Sequence, residues 1–138
     1  MVEKLKLQPN ENRCAFTEHE HMLTVNGFCP VSANPLPGSR LSIFYKGDKG
    51  FLEVASLRSF LDSYRGGKGE VRSMEGMLQD VAQSCADVLE VDVKLVGDLI
   101  IAPGQQFMKV TCYAFPEAMP KVQRNAAESV LQIRSGNL

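Results

Sequence analysis

Apolar and polar positions change their rhythm twice along this chain. Met22-Leu23-Thr24-Val25-Asn26-Gly27-Phe28 alternates imperfectly and predicts a strand running to Cys29. Leu41-Ser42-Ile43-Phe44-Tyr45 alternates cleanly and predicts a second strand, closed by a charged turn at Lys46–Gly50. The period then lengthens. Val54, Leu57, Phe60, Leu61 and Tyr64 recur every three or four residues, the mark of an amphipathic helix over 54–65. Arg65-Gly66-Gly67-Lys68-Gly69 stops it with a cation and glycines. A second helix is expected from about Arg72 to Leu89, with Met74, Met77, Leu78, Val81, Cys85 and Val88 inward. Ser73 with Gly76 and Gln79 makes no clean capping box, so its start is open by a turn.

Alternation returns in Val91–Gly97 and extends through Leu99-Ile100-Ile101. Ala102-Pro103-Gly104-Gln105 turns the chain, and Phe107–Ala114 runs back. Residues 1–20 read as an irregular polar segment with a turn cluster at Pro9–Asn12, residues 21–115 as one domain, and 116–138 as a tail. In the tail Val122, Ala126, Val130, Leu131 and Ile133 fit either a short surface helix or a frayed end. The order is thus strand, strand, helix, helix, strand, strand. Short connections make each strand pair antiparallel. The simplest α+β packing is a four-stranded antiparallel sheet with two helices on one face. Its outer strands keep free edges, which side-by-side joining of copies into a ring would cover.

Composition narrows the class of function. The 138 residues suffice for one domain with a core, at 44% hydrophobic and 22% charged. Fifteen basic against sixteen acidic residues give a net charge of −1, so no basic excess points to nucleic acid. The opening Met1-Val2-Glu3-Lys4-Leu5-Lys6 has no apolar signal region, and no apolar run approaches the ~20 residues of a membrane span. A cytoplasmic protein is expected, without membrane or direct nucleic-acid partners. Cys14, Cys29, Cys85 and Cys112 are widely spaced with no Cys-x-x-Cys pair, so a thiolate metal site is not expected. Cys85 and Cys112 fall in helix and strand patterns where small core residues belong.

Cys29 differs. Phe28-Cys29-Pro30-Val31-Ser32-Ala33-Asn34-Pro35 sets the thiol on a corner stiffened by two prolines, which suits a nucleophile or a buried structural thiol.

That stretch, followed by a strand ending in Tyr45 and by Leu52-Glu53-Val54-Ala55-Ser56-Leu57-Arg58-Ser59-Phe60-Leu61, resembles the QueF family of the tunnelling fold. The resemblance spans roughly residues 21–115. The family's pattern is Cys-Pro-x-Ser/Thr-x-x-Pro, a strand, then Glu-Ser-Lys-Ser-Leu-Lys-x-Tyr-Leu. Its members are 7-cyano-7-deazaguanine reductases, which serve queuosine-type transfer RNA modification, and amidinotransferase relatives. The resemblance implies a ββααββ unit, a ring with sites at subunit interfaces, and a small purine-like base as substrate. It also implies that Cys29 attacks the nitrile carbon to give a thioimide, which needs a thiolate. A glutamate near the second helix would hold the two-donor edge of the base. Glu70 and Glu75 are the candidates, with Glu70 slightly preferred. The resemblance further puts Glu53 and Ser56 at the base, and Ser56 with Arg58 at NADPH. Glu53 reads equally well as a charge at a helix N-terminus.

The chain departs from the family at several places. Leu36 stands at the reductases' proton-donating aspartate, and Gly69-Glu70 replaces a His-Glu pair. Two phosphate-contacting lysines correspond to Ala55 and Arg58, and an Arg-Gly-Gly turn to Pro103-Gly104-Gln105. His19 and His21 precede the first strand and do not make a zinc-ligand set. Three outcomes stay open: reduction with NADPH, ammonia addition without it, or a protein that only binds a pterin or deazapurine.

Overall fold

The computed structural model describes residues 4–15 and 17–117. Strands β1 (Leu7–Pro9), β2 (Thr17–Val25), β3 (Ser39–Gly47) and β4 (Gly50–Leu52) come first. Helices α1 (Val54–Asp62) and α2 (Met74–Leu89) follow, then strands β5 (Val93–Ile101) and β6 (Gln106–Ala114). The main sheet is four-stranded and antiparallel throughout, in the order β2-β3-β5-β6. The α+β expectation holds, with a second, two-stranded sheet β1-β4 added to it. The predicted tail helix lies outside the described residues.

Alternation sets the two faces of the sheet. Leu41, Ile43 and Tyr45 of β3 and Val93, Leu95 and Leu99 of β5 are buried against the helices. Leu57, Phe60 and Leu61 of α1 and Met77, Leu78, Val81 and Cys85 of α2 complete this core. At ~25 cal/mol per Å² of apolar area, each fully buried leucine adds about 2 kcal/mol, so this one layer carries the fold. The opposite face presents Met22 and Phe107, both exposed, with charged side chains between them. The β2 and β6 edges are unpaired within the described residues.

Two expectations about the first strand are corrected. It begins at Thr17 and not near Met22, because Glu18, Glu20, Met22 and Thr24 point outward while His19, His21, Leu23 and Val25 point inward. It also ends at Val25, before Cys29. Gly27 adopts φ +68°, a left-handed conformation that strand pairing cannot continue through. The segment expected to be irregular therefore supplies β1 and the start of β2.

Candidate functional site

Phe28 and the residues around it decide where Cys29 sits. Phe28 is fully buried, 6.1 Å from the Tyr64 ring, and anchors the chain in the core one residue before the thiol. Gly27 then ties two segments together: its N–H donates to the Pro35 carbonyl at 2.8 Å, and its carbonyl accepts from Gly66 N–H at 2.8 Å. Between these anchors the chain closes on itself. Cys29 N–H donates to the Asn34 carbonyl at 2.9 Å, and Ala33 N–H donates to the Cys29 carbonyl at 2.9 Å. Ala33 reaches this geometry with φ +60°. The result is a fixed loop with a partly exposed thiol at its base and Val31, 93% exposed, at its tip.

The thiol is more acidic than an ordinary cysteine. The Ser32 hydroxyl is the largest cause, followed by the N–H groups of Ser32 and Val31, and the Arg72 guanidinium adds a favourable charge. Partial desolvation opposes them and is outweighed. The buried Cys85 is the contrast within the same molecule: burial alone pushes its thiol up to about 12. Half-burial also raises Cys112. Cys29 is thus the cysteine whose surroundings favour the nucleophilic thiolate.

Arg72 joins this loop to a second feature. An open groove of about 640 Å³ runs along the start of α2, lined by Glu70, Arg72, Ser73, Gln79 and Asp80 among others. Ser73 and Gly76 of this lining belong to the start of α2, which Ser73 caps by accepting Gly76 N–H at 3.0 Å. Glu70 lies on this groove, at the turn where Lys68 and Val71 pair. Glu75 is exposed in the first turn of α2 and does not line it. The preferred candidate and Arg72 therefore line the same groove, and Gly67 lies between the Arg72 guanidinium and Pro30 of the Cys29 loop.

The other predicted residues have structural partners. Glu53 caps α1, accepting Ser56 N–H at 2.6 Å and Ala55 N–H at 3.2 Å. These bonds, the Ser56 N–H first, hold its carboxyl below the usual carboxylate range. The Ser56 hydroxyl donates to the Glu53 carbonyl at 3.0 Å and accepts Lys6 N–H at 3.0 Å, fastening the N-terminal segment. Arg58 donates to the Thr24 carbonyl at 2.9 Å and to Asp62 at 2.6 Å. Among the described residues no hydrogen bond or ion pair joins Glu53, Ser56 or Arg58 to the Cys29 loop. At the two positions where the resemblance puts phosphate contacts, Ala55 is exposed and uncharged, and Arg58 spends both terminal nitrogens on Thr24 and Asp62.

His19 and His21 form a separate cluster under the β1-β4 sheet. Their rings stack on each other at 5.6 Å and on Tyr45 at 5.1 and 5.5 Å. His21 Nε2 hydrogen-bonds Tyr45 Oη at 2.8 Å, and that oxygen accepts Leu52 N–H at 2.9 Å. Among the described residues no group of three His, Cys, Asp or Glu side chains is placed to hold a metal ion. No helix there is long and apolar enough to cross a membrane.

Sequence reasoning gave no role to Ser32, Arg72 or Asn34. Ser32 carried a signal, a hydroxyl three residues after a candidate nucleophile. Arg72 carried none, because its place depends on how the glycine-rich connection folds back. Compared with known proteins, the chain matches no protein-family model and no curated protein.

Proposed function

We propose that the chain handles a 7-deazaguanine nitrile, with Cys29 as the nucleophile that captures it. The thiolate adds to the nitrile carbon, the carbon–nitrogen triple bond becomes double, and the proton that left sulfur ends on nitrogen. The observation that supports this best is the Cys29 loop itself, where three hydrogen-bond donors and a nearby guanidinium favour a thiolate at a partly exposed position. Glu70 offers two acceptor oxygens to the adjacent donors of a guanine-like edge, on the groove that it lines together with Arg72, whose charge also acts on the Cys29 thiol. The exposed Val31 and the β2 and β6 edges, unpaired among the described residues, support a ring in which a neighbouring copy closes the site.

Ammonia addition is the favoured completion, ahead of an NADPH-dependent reduction. Ammonia adds to the thioimide carbon and the thiolate leaves, so nitrile plus ammonia becomes an amidine with no change of oxidation state. The commitment of Arg58 to Thr24 and Asp62 favours this route, which needs no dinucleotide site. A cytoplasmic setting, where thiols stay reduced, suits either completion.

Mixing the full chain with the nitrile base tests the capture step. A covalent mass adduct with thioimide absorbance is expected for the wild type and not for Cys29→Ala. Absence of adduct at saturating base sinks the capture reading and leaves a binding protein of the same architecture.

A further inference from the structure

Asn34 and Ser39 are buried polar side chains on one short connection, and both fasten it to the far hairpin. Ser39 Oγ donates to the Leu36 carbonyl at 2.8 Å and accepts Ile100 N–H at 2.8 Å, while Leu36 N–H donates to the Ile100 carbonyl at 2.8 Å. Asn34 makes the next rung with its side chain. Its Nδ2 donates to the Ala102 carbonyl at 2.9 Å, and its Oδ1 accepts Ala102 N–H at 2.8 Å. An asparagine amide thus pairs both backbone groups of a residue 68 positions away, as a strand neighbour would.

The same residue holds the cysteine loop through its backbone. Its carbonyl accepts Cys29 N–H at 2.9 Å, and its N–H donates to Ser32 Oγ at 3.3 Å. One residue therefore connects the Cys29 backbone, the Ser32 hydroxyl and the β5–β6 turn. No shorter or longer side chain does this: serine lacks the second group, and glutamine adds a methylene. An ionised aspartate would set an oxygen against the Ala102 carbonyl.

We propose that Asn34 is the positioning residue of the Cys29 site, its amide pair with Ala102 and its backbone bonds to Cys29 and Ser32 fixing the loop that carries the sulfur. The role rests on the reading of Cys29 as a nucleophile and does not depend on which electrophile it attacks. Asn34 touches neither the sulfur nor the groove, so it acts through the loop alone. Removing its side chain takes the partner from both half-buried Ala102 backbone groups, which releases the loop at its far end.

The test reads the rate at which the Cys29 thiolate displaces iodide from iodoacetamide, followed by mass of the Cys29 peptide across pH. Cys14, which is exposed, is thereby kept out of the signal. Asn34→Ala is expected to move the midpoint of the profile upward and slow alkylation at pH 7 about tenfold, the effect of roughly one pH unit. Ser32→Ala is expected to do the same, and the double variant to be no slower than either alone, because both act on one contact. A folded Asn34→Ala chain with the wild-type profile overturns the proposal, as does a double variant whose effects multiply. Asn34→Ser replaces Asn34→Ala where the latter does not fold. Failure of both to fold assigns Asn34 to the fold and overturns the positioning role. A wild type with a depressed alkylation midpoint but no nitrile adduct refutes the capture reading while leaving this one standing.

Discussion

Arg58 reaches from α1 to the edge strand β2 and donates to the Thr24 carbonyl at 2.9 Å, while its other terminal nitrogen pairs with Asp62. A residue placed by resemblance at a cofactor phosphate thus closes a backbone acceptor of the fold. Arg58→Ala is expected to lower stability by about 1 kcal/mol, since the ion pair is partly exposed and contributes little beside the carbonyl bond. Urea unfolding measures this, with NADPH titration of the same variant alongside. Unchanged stability with weakened NADPH binding would return Arg58 to the cofactor.

The His21 ring gives the fold a pH dependence of defined sign. Burial lowers its affinity for a proton, and the neighbouring His19 lowers it further. Tyr45 Oη faces it directly, and Phe51 packs on His19 at 4.8 Å. The folded state therefore prefers the neutral ring, and the unfolded chain binds the proton more readily. Stability is full above the ordinary histidine value of ~6.5 and falls as pH drops from there through the lowered folded value. Urea midpoints at pH 7.5 and pH 5 are expected to differ in that direction. His21→Gln keeps a hydrogen-bonding group near Tyr45 without titrating and is expected to flatten the difference. An equal slope in that variant would assign the effect to another group.

How much of this was legible follows from what each residue answers to. Leu41, Ile43 and Tyr45 advertised β3 because these three alternate positions are large, apolar and buried. The start of β2 was hidden because its inward positions carry His19 and His21, which pack as aromatic rings but read as polar. The strands β1 and β4 have three residues each and exist through the pairing of Leu7 with Leu52, a contact no local pattern encodes. At the site, the cysteine and its prolines announced a stiff turn. The Ala102 partner of Asn34 did not announce itself, since it offers only backbone. Glu53 was legible as a helix-start charge, and the structure uses it as the α1 cap.

Arg72 acts on the Cys29 thiol through charge across an exposed site, unlike the hydrogen bonds of Ser32. Arg72→Ala is expected to raise the alkylation midpoint in low salt and to leave it nearly unchanged at 1 M salt, where the screening length is ~3 Å. The Ser32→Ala shift is expected to persist at both salt concentrations. Equal salt dependence of the two variants would remove the distinction.

Glu70 and Glu75 are five residues apart yet occupy different places. Glu70 lines the groove with Arg72, whereas Glu75 sits exposed in the first turn of α2, where a carboxylate faces the positive end of the helix. Glu70→Gln keeps the shape and one acceptor but loses the charge and the second acceptor that a two-donor base edge needs. Base affinity by calorimetry is expected to fall about 10- to 100-fold, the range for charge-assisted hydrogen bonds, with little change in unfolding. Glu75→Gln is expected to show the reverse, near wild-type binding with a loss of about 0.3–1 kcal/mol in stability that fades with added salt. Weakened binding in Glu75→Gln alone would move the base contact to the first turn of α2 and take Glu70 out of the site.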